Sequence, residues 1–193
     1  MRKMGIFGRL RKEKKDKVVD PKIKRLVDDL SDNDIKVRKR AIRKLSSMGE
    51  PAVEPLVEAF RSSFMVIYGP HFALAKIGEP AVEPLVRTLK DKKSNIYMRS
   101  GAAATFSHMS QRASEPLMSV LREKAAEPLI ETLTKNYCRG NKYMFAAICG
   151  ALGRIGDPRA VEPLKRALEV WKYDRSTQFF ARKALKEIEK QQG

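Results

Sequence analysis

The residues in this chain with chemistry to offer are two histidines, two cysteines and an excess of lysine and arginine. His71 and His108 are each followed by an apolar residue, not by glutamate. A metal site needs three or four ligands converging at set spacing, and two isolated imidazoles supply too few. Cys138 and Cys149 have no histidine beside them and match no zinc spacing. Two cysteines also cannot build a disulfide framework for 193 residues, so reduced thiols in a cytoplasmic protein are expected. Gly5-Ile6-Phe7-Gly8 has neither the spacing nor the preceding strand of a phosphate-binding loop. No catalytic, metal-binding or cofactor-binding residue is assigned, and no cofactor is expected.

Charge is the stronger lead. Lys and Arg number 40 against 23 Asp and Glu, a formal net charge of +17. A surface so basic attracts an acidic partner: an acidic protein, nucleic acid or an anionic membrane. Residues 1–20 hold eight basic and three acidic residues, and the stretch Asp34–Met48 adds Lys36, Arg38, Lys39, Arg40, Arg43 and Lys44 against Asp34. Both clusters could contact phosphates. Within residues 1–17, Ile6, Phe7 and Leu10 give a helix one apolar edge, a pattern for peripheral contact with an anionic membrane. No apolar run is long enough to span a bilayer, and the N-terminus lacks the apolar stretch of a secretory signal.

These residues must be positioned by a repeat. Gly49-Glu50-Pro51-Ala52-Val53-Glu54-Pro55-Leu56-Val57 recurs at Gly78–Val86 and, as Gly-Asp-Pro-Arg-Ala-Val-Glu-Pro-Leu, at Gly156–Leu164. The core Glu-Pro-Leu also stands at Glu115–Leu117 and Glu127–Leu129. After each turn Val53, Leu56, Val57 and Phe60, or Val82, Leu85, Val86 and Leu89, form an i, i+3, i+4, i+7 stripe, the mark of a helix with one buried face. The third unit places Val161, Leu164, Ala167 and Leu168 the same way. A second helix precedes each glycine, which stops it from the C′ position. Counting back from these stops gives second helices over 34–48, 63–77, 95–109, 141–155 and 174–188. With aromatics at only 7%, the fold expected is all-α: an α-α superhelix of about five helix pairs. Residues 1–19 read as a basic tail, 20–190 as the solenoid and 191–193 as a C-terminal tail.

The run from Asp34-Ile35-Lys36-Val37-Arg38 to Gly49-Glu50-Pro51-Ala52-Val53-Glu54-Pro55-Leu56 resembles the HEAT-like repeat of the phycobilisome-lyase type. Ala151-Leu152-Gly153-Arg154-Ile155-Gly156-Asp157-Pro158 is similar to it as well. The resemblance implies an α-solenoid with first helices on the convex side and second helices lining a concave binding face. Its iron-dependent hydroxylases would need His-Glu pairs that this chain lacks, and a helical-repeat DNA glycosylase would rest on Trp171 with Arg175 alone. Positions just after the buried valine-like residue of each second helix then become partner-binding candidates: Arg38, Lys39, Ile67, Tyr68, Arg99, Phe145, Gln178 and Phe179, joined by Arg43, near which, with Arg38 and Lys39, an acidic segment is preferred. Their mix of Arg and aromatics suits a protein interface. The leading reading is a non-enzymatic HEAT-repeat scaffold binding another protein, one with an acidic segment. Nucleic-acid binding through the basic front, and a lyase-like enzyme of the same repeat family, stay open.

Two irregularities stand out. Gly69-Pro70 falls inside a second helix and should kink it. Between Glu115 and Glu127 two first-type helices follow each other with no second helix between them. Residues 110–135 are therefore an irregular centre, expected to bend the stack sharply or to need a partner's cover.

Overall fold

The computed structural model describes residues 19–61, 69–135, 141–170 and 174–193. Among them eleven α-helices and no strand occur. The expectations attached to Ile67, Tyr68, Cys138, Trp171 and the tail through residue 18 lie outside the described residues.

Local chemistry sets the helix limits. The helices α2 (Ile35–Met48), α6 (Ile96–Ser110), α9 (Lys142–Ile155) and α11 (Arg175–Gln192) each start behind an Asp or Asn whose side chain takes an orphan backbone N–H. Asp34 accepts from the Lys36 amide at 2.8 Å, Asn95 from Met98 and Asn141 from Met144, both at 2.9 Å. Such caps are worth about 1 kcal/mol each. Asp174 caps α11 and pairs with Lys142 Nζ at 2.8 Å, which together with Ser176 holds its carboxyl well below the ordinary carboxylate range. The C-terminal stops are Gly49, Gly78 and Gly156 at φ 68°, 81° and 74°. That backbone is strained for any residue with a Cβ, so the repeating glycine answers a steric need. A 3₁₀ turn follows each stop, over Glu50–Ala52, Glu79–Ala81 and Pro158–Ala160. It leads into α3 (Val53–Ala59), α5 (Val82–Lys90) and α10 (Val161–Val170).

One kink expected in the sequence is instead a helix start. Pro70 is the first residue of α4 (Pro70–Ile77), with Gly69 at its N-cap. A proline costs nothing there, because the first-turn N–H groups have no intrahelical acceptor.

The helices stack in two layers. α1 (Pro21–Asp28), α3, α5, α8 (Ala126–Thr134) and α10 touch in that order, and so do α2, α4, α6, α9 and α11. Each first helix also packs on its own second helix, which makes five pairs. Between the layers lies one continuous core that includes Leu45, Leu56, Phe60, Leu74, Leu85, Phe106, Leu129, Phe145, Leu152 and Leu164. The stripes read from the first two repeat motifs, Val53 to Phe60 and Val82 to Leu89, are buried throughout.

The centre corrects the expectation. No second helix is missing; one helix is added. α8 occupies the first-layer place between α5 and α10, and α6 packs directly on α9, so both layers run through residues 110–135 without a gap. The extra helix, α7 (Glu115–Lys124), is held against α5, α8 and α9. Leu121 is fully buried, and Arg122 Nε donates to the Ile155 carbonyl at 3.1 Å, satisfying an orphan acceptor at the end of α9. The C-terminus differs too. α11 continues through Gln192, and Gln191 Nε2 donates to the Gly153 carbonyl at 3.0 Å, so residues 191 and 192 belong to the last helix.

Candidate functional site

The basic cluster of α2 stands on the outward side of the second-helix layer. Ala41 and Leu45 turn into the core, which leaves Lys36, Lys39, Arg40, Arg43 and Lys44 exposed. Arg38 is half-buried and anchored: its Nη1 donates to the carbonyls of Asp32 (2.6 Å) and Asn33 (3.0 Å), closing the turn before α2.

Beside this cluster is a cavity of about 970 Å³ bounded by α2, α4 and the end of α6. Lys36, Arg38, Lys39 and Arg43 line it from α2, Lys76 from α4, and Arg112 from just beyond α6. Asp32 is the one acid among its lining residues. Ile35, Ile42, Phe72 and Ala75 give it apolar walls. Cations around an apolar floor suit an anionic ligand that also carries a hydrophobic part.

The two histidines, distant in sequence, meet here. Their rings stack with centroids 4.8 Å apart, and Phe72 lies against both, 4.2 Å from His71 and 4.6 Å from His108. His71 is buried, His108 half-buried and Phe72 exposed. Among the described residues no group of three or more His, Cys, Asp or Glu gathers that could hold a metal.

Burial first, and then the guanidiniums of Arg154 and Arg112, hold the His108 imidazole below its ordinary pKa. The folded protein therefore favours the neutral ring. As the pH falls through about 6.5, the unfolded chain binds a proton that the folded chain resists. The stability this contributes is complete above that pH and is lost on acidification. Melting curves should show a smaller drop in midpoint between about pH 7.5 and 5.5 for His108→Gln than for the parent. Equal drops in the two proteins would show that this ring does not carry the effect.

Past His108 the same face continues. Arg154 Nη1 donates across to Ser107 Oγ (3.2 Å) and back to the Gly150 carbonyl (2.8 Å). A smaller hollow, about 170 Å³, follows between α6, α9 and α11, with Arg154, Lys183, Glu187 and Phe180 on its walls.

Of the candidates named from sequence, Arg38, Lys39 and Arg43 line the large cavity. Phe179, at the other end of the stack, is 61% exposed, and Gln178 beside it is half-buried. Two others turn inward. Arg99 is 7% exposed and donates to the Ser94 and Asp91 carbonyls, fastening the α5–α6 turn. Phe145 is 1% exposed and packs in the core of α9. Neither presents a surface to a partner.

Sequence reasoning passed over Phe72, Lys76 and Arg112, and weighed His108 only as a metal ligand. One signal was there to be read: Lys76 and Arg154 occupy the same place, directly before the Ile-Gly that ends their helices. Positions near these C-terminal stops, more than those after the buried valine, mark the outward face.

No curated protein matches this chain. The family model described as PBS lyase HEAT-like repeat matches residues 150–169, from the last turns of α9 through the Gly156 stop into α10. Residues 150–169 are thus similar to a PBS lyase HEAT-like repeat, set among the described residues in an all-α stack of helix pairs.

Proposed function

We propose that this protein is a non-enzymatic helical-repeat adaptor that binds an acidic segment of another protein on its second-helix layer. The observation that supports this reading is the large cavity itself, with six cations and one acid around an apolar floor. Exposed cations steer an acidic chain and speed its encounter, while apolar walls supply the burial that salt does not screen. Repeat proteins use extended surfaces of this kind for recognition.

Nucleic acid is the alternative, favoured by the spread of cations to Arg154 and Lys183 farther along the face. Fluorescence anisotropy with a short Asp/Glu-rich peptide and with single-stranded and duplex DNA, at low and moderate salt, separates the two. The acidic peptide is expected to bind, and Lys39→Glu with Arg43→Glu should weaken it at least about tenfold without moving the melting temperature, because both side chains are exposed. Binding of the DNA alone, with a steep salt dependence, would replace this reading with the nucleic-acid one.

A further inference from the structure

We propose that the cavity between α2, α4 and α6 is an anchor pocket for one aromatic side chain of the acidic partner segment, seated on the ring of Phe72. This inference rests on the acidic-segment reading and adds what the segment must carry.

Phe72 is 40% exposed, unusual for a phenylalanine beside so many cations. It is not a loose side chain. Its ring lies 4.2 Å from His71 and 4.6 Å from His108; His71 is buried and His108 lines the same cavity, so the ring is braced by a stacked pair. Ile35, which lines the same cavity, is 53% exposed on the first turn of α2. Water therefore meets two large apolar side chains facing one space of about 970 Å³.

A chain of carboxylates alone would leave that surface wet, and its charges would gain only screened contacts with Lys39 and Arg43. An aromatic side chain in this space removes apolar area from water and meets the Phe72 ring in a stacked or edge-on pair. Its neighbours in the segment then meet the cations that line the same space, those of α2 together with Lys76 and Arg112. Rigid aromatic anchors in braced pockets are where interfaces concentrate their binding energy, because little side-chain freedom is lost on docking. A nucleobase could stack on the same ring. The face beyond, however, offers Phe180 and Glu187 together with its cations, a mixture that suits a polypeptide better than a phosphate backbone.

The test uses the full chain and two labelled Asp/Glu-rich peptides of equal length and charge, one with a central Trp and one with Ala in its place, beside an oligothymidine of similar length. The Trp peptide is expected to bind about tenfold more tightly than the Ala peptide. Phe72→Ala should bring the Trp peptide down to the level of the Ala peptide while leaving the latter within about twofold. Ile35→Ser, at an exposed position of the same lining, should act in the same direction and serves if Phe72→Ala melts early. Equal affinity of the two peptides for the parent overturns the anchor and leaves the acidic-segment reading standing. Failure of both peptides to bind overturns both readings, and tight binding of the oligothymidine alone hands the platform to nucleobases.

Discussion

Leu152→Asp is expected to abolish the cooperative melting of this protein. Leu152 has no exposed surface and sits in α9, which packs on α6, α8 and α11 and so ties the fourth helix pair to both neighbours. Losing the leucine side chain costs about 2–5 kcal/mol by itself, as large-to-small core substitutions do. The aspartate then has to be buried without a partner, or protonated, at a further cost of several kcal/mol. Whole domains are stable by only about 5–15 kcal/mol, so the two costs together reach the total. In a solenoid each pair is held only by its neighbours, and the loss propagates to both sides. Circular dichroism should show reduced helicity at ordinary temperature and no sharp transition. Leu85→Asp, in α5, should behave the same way. A variant that melts like the parent would show that α9 does not face the core through Leu152.

Gly101→Ala should destabilise the protein even though alanine is the better helix former. In an exposed helix the exchange would gain about 1 kcal/mol. At this position in α6 the new Cβ would stand 2.4–2.7 Å from the ring atoms of Phe60. Phe60 is fully buried at the end of α3, so its ring cannot swing away cheaply. Overpacking of this kind costs about 1–3 kcal/mol, and a contact this short belongs at the upper end of that range. The net expectation is a loss of about 1–2 kcal/mol, read as a lower urea midpoint with unchanged slope. Gly101→Val should lose more. Phe60→Leu should soften the effect of Gly101→Ala, because the two residues share one contact, and a double-mutant cycle should therefore show favourable coupling. Gly150 is the comparison. A Cβ there meets Ser107 Oγ at 2.9 Å and Arg154 Nη1 at 3.1 Å, ends of side chains that can shift at the expense of their mutual hydrogen bond, and Gly150→Ala should lose less than Gly101→Ala. If Gly101→Ala proves as mild as Gly150→Ala, α3 and α6 are not held as closely as Phe60 implies.

What the sequence alone determined about this protein is most of its helices and the ends that carry a cap or a stop. A capping Asp or Asn, a proline in the first turn and a stopping glycine act on backbone groups within four residues, so Asp34, Asn95, Asn141, Asp174, Gly49, Gly78 and Gly156 announce their positions without reference to the fold. The apolar stripes of α3 and α5 are legible for the same reason, since a helical period of 3.6 residues places Leu56 and Leu85 inward whatever they pack against. The tertiary structure alone decided which neighbours each helix meets and how much of its outer face they cover. Arg99 and Phe145 sit at helical positions equivalent to the half-buried Arg38 of α2, but α6 and α9 have helices packed on both sides while α2 stands near an end of its layer, and the added neighbours close over them. The insertion of α7 could not be told from the loss of a second helix, because both leave two first-type helices in succession, and only the contacts α5 to α8 and α6 to α9 distinguish them. The stack of His71 on His108 is likewise a product of layer packing: residues of α4 and α6, far apart along the chain, are brought within ring contact because each second helix buries its flank against the next.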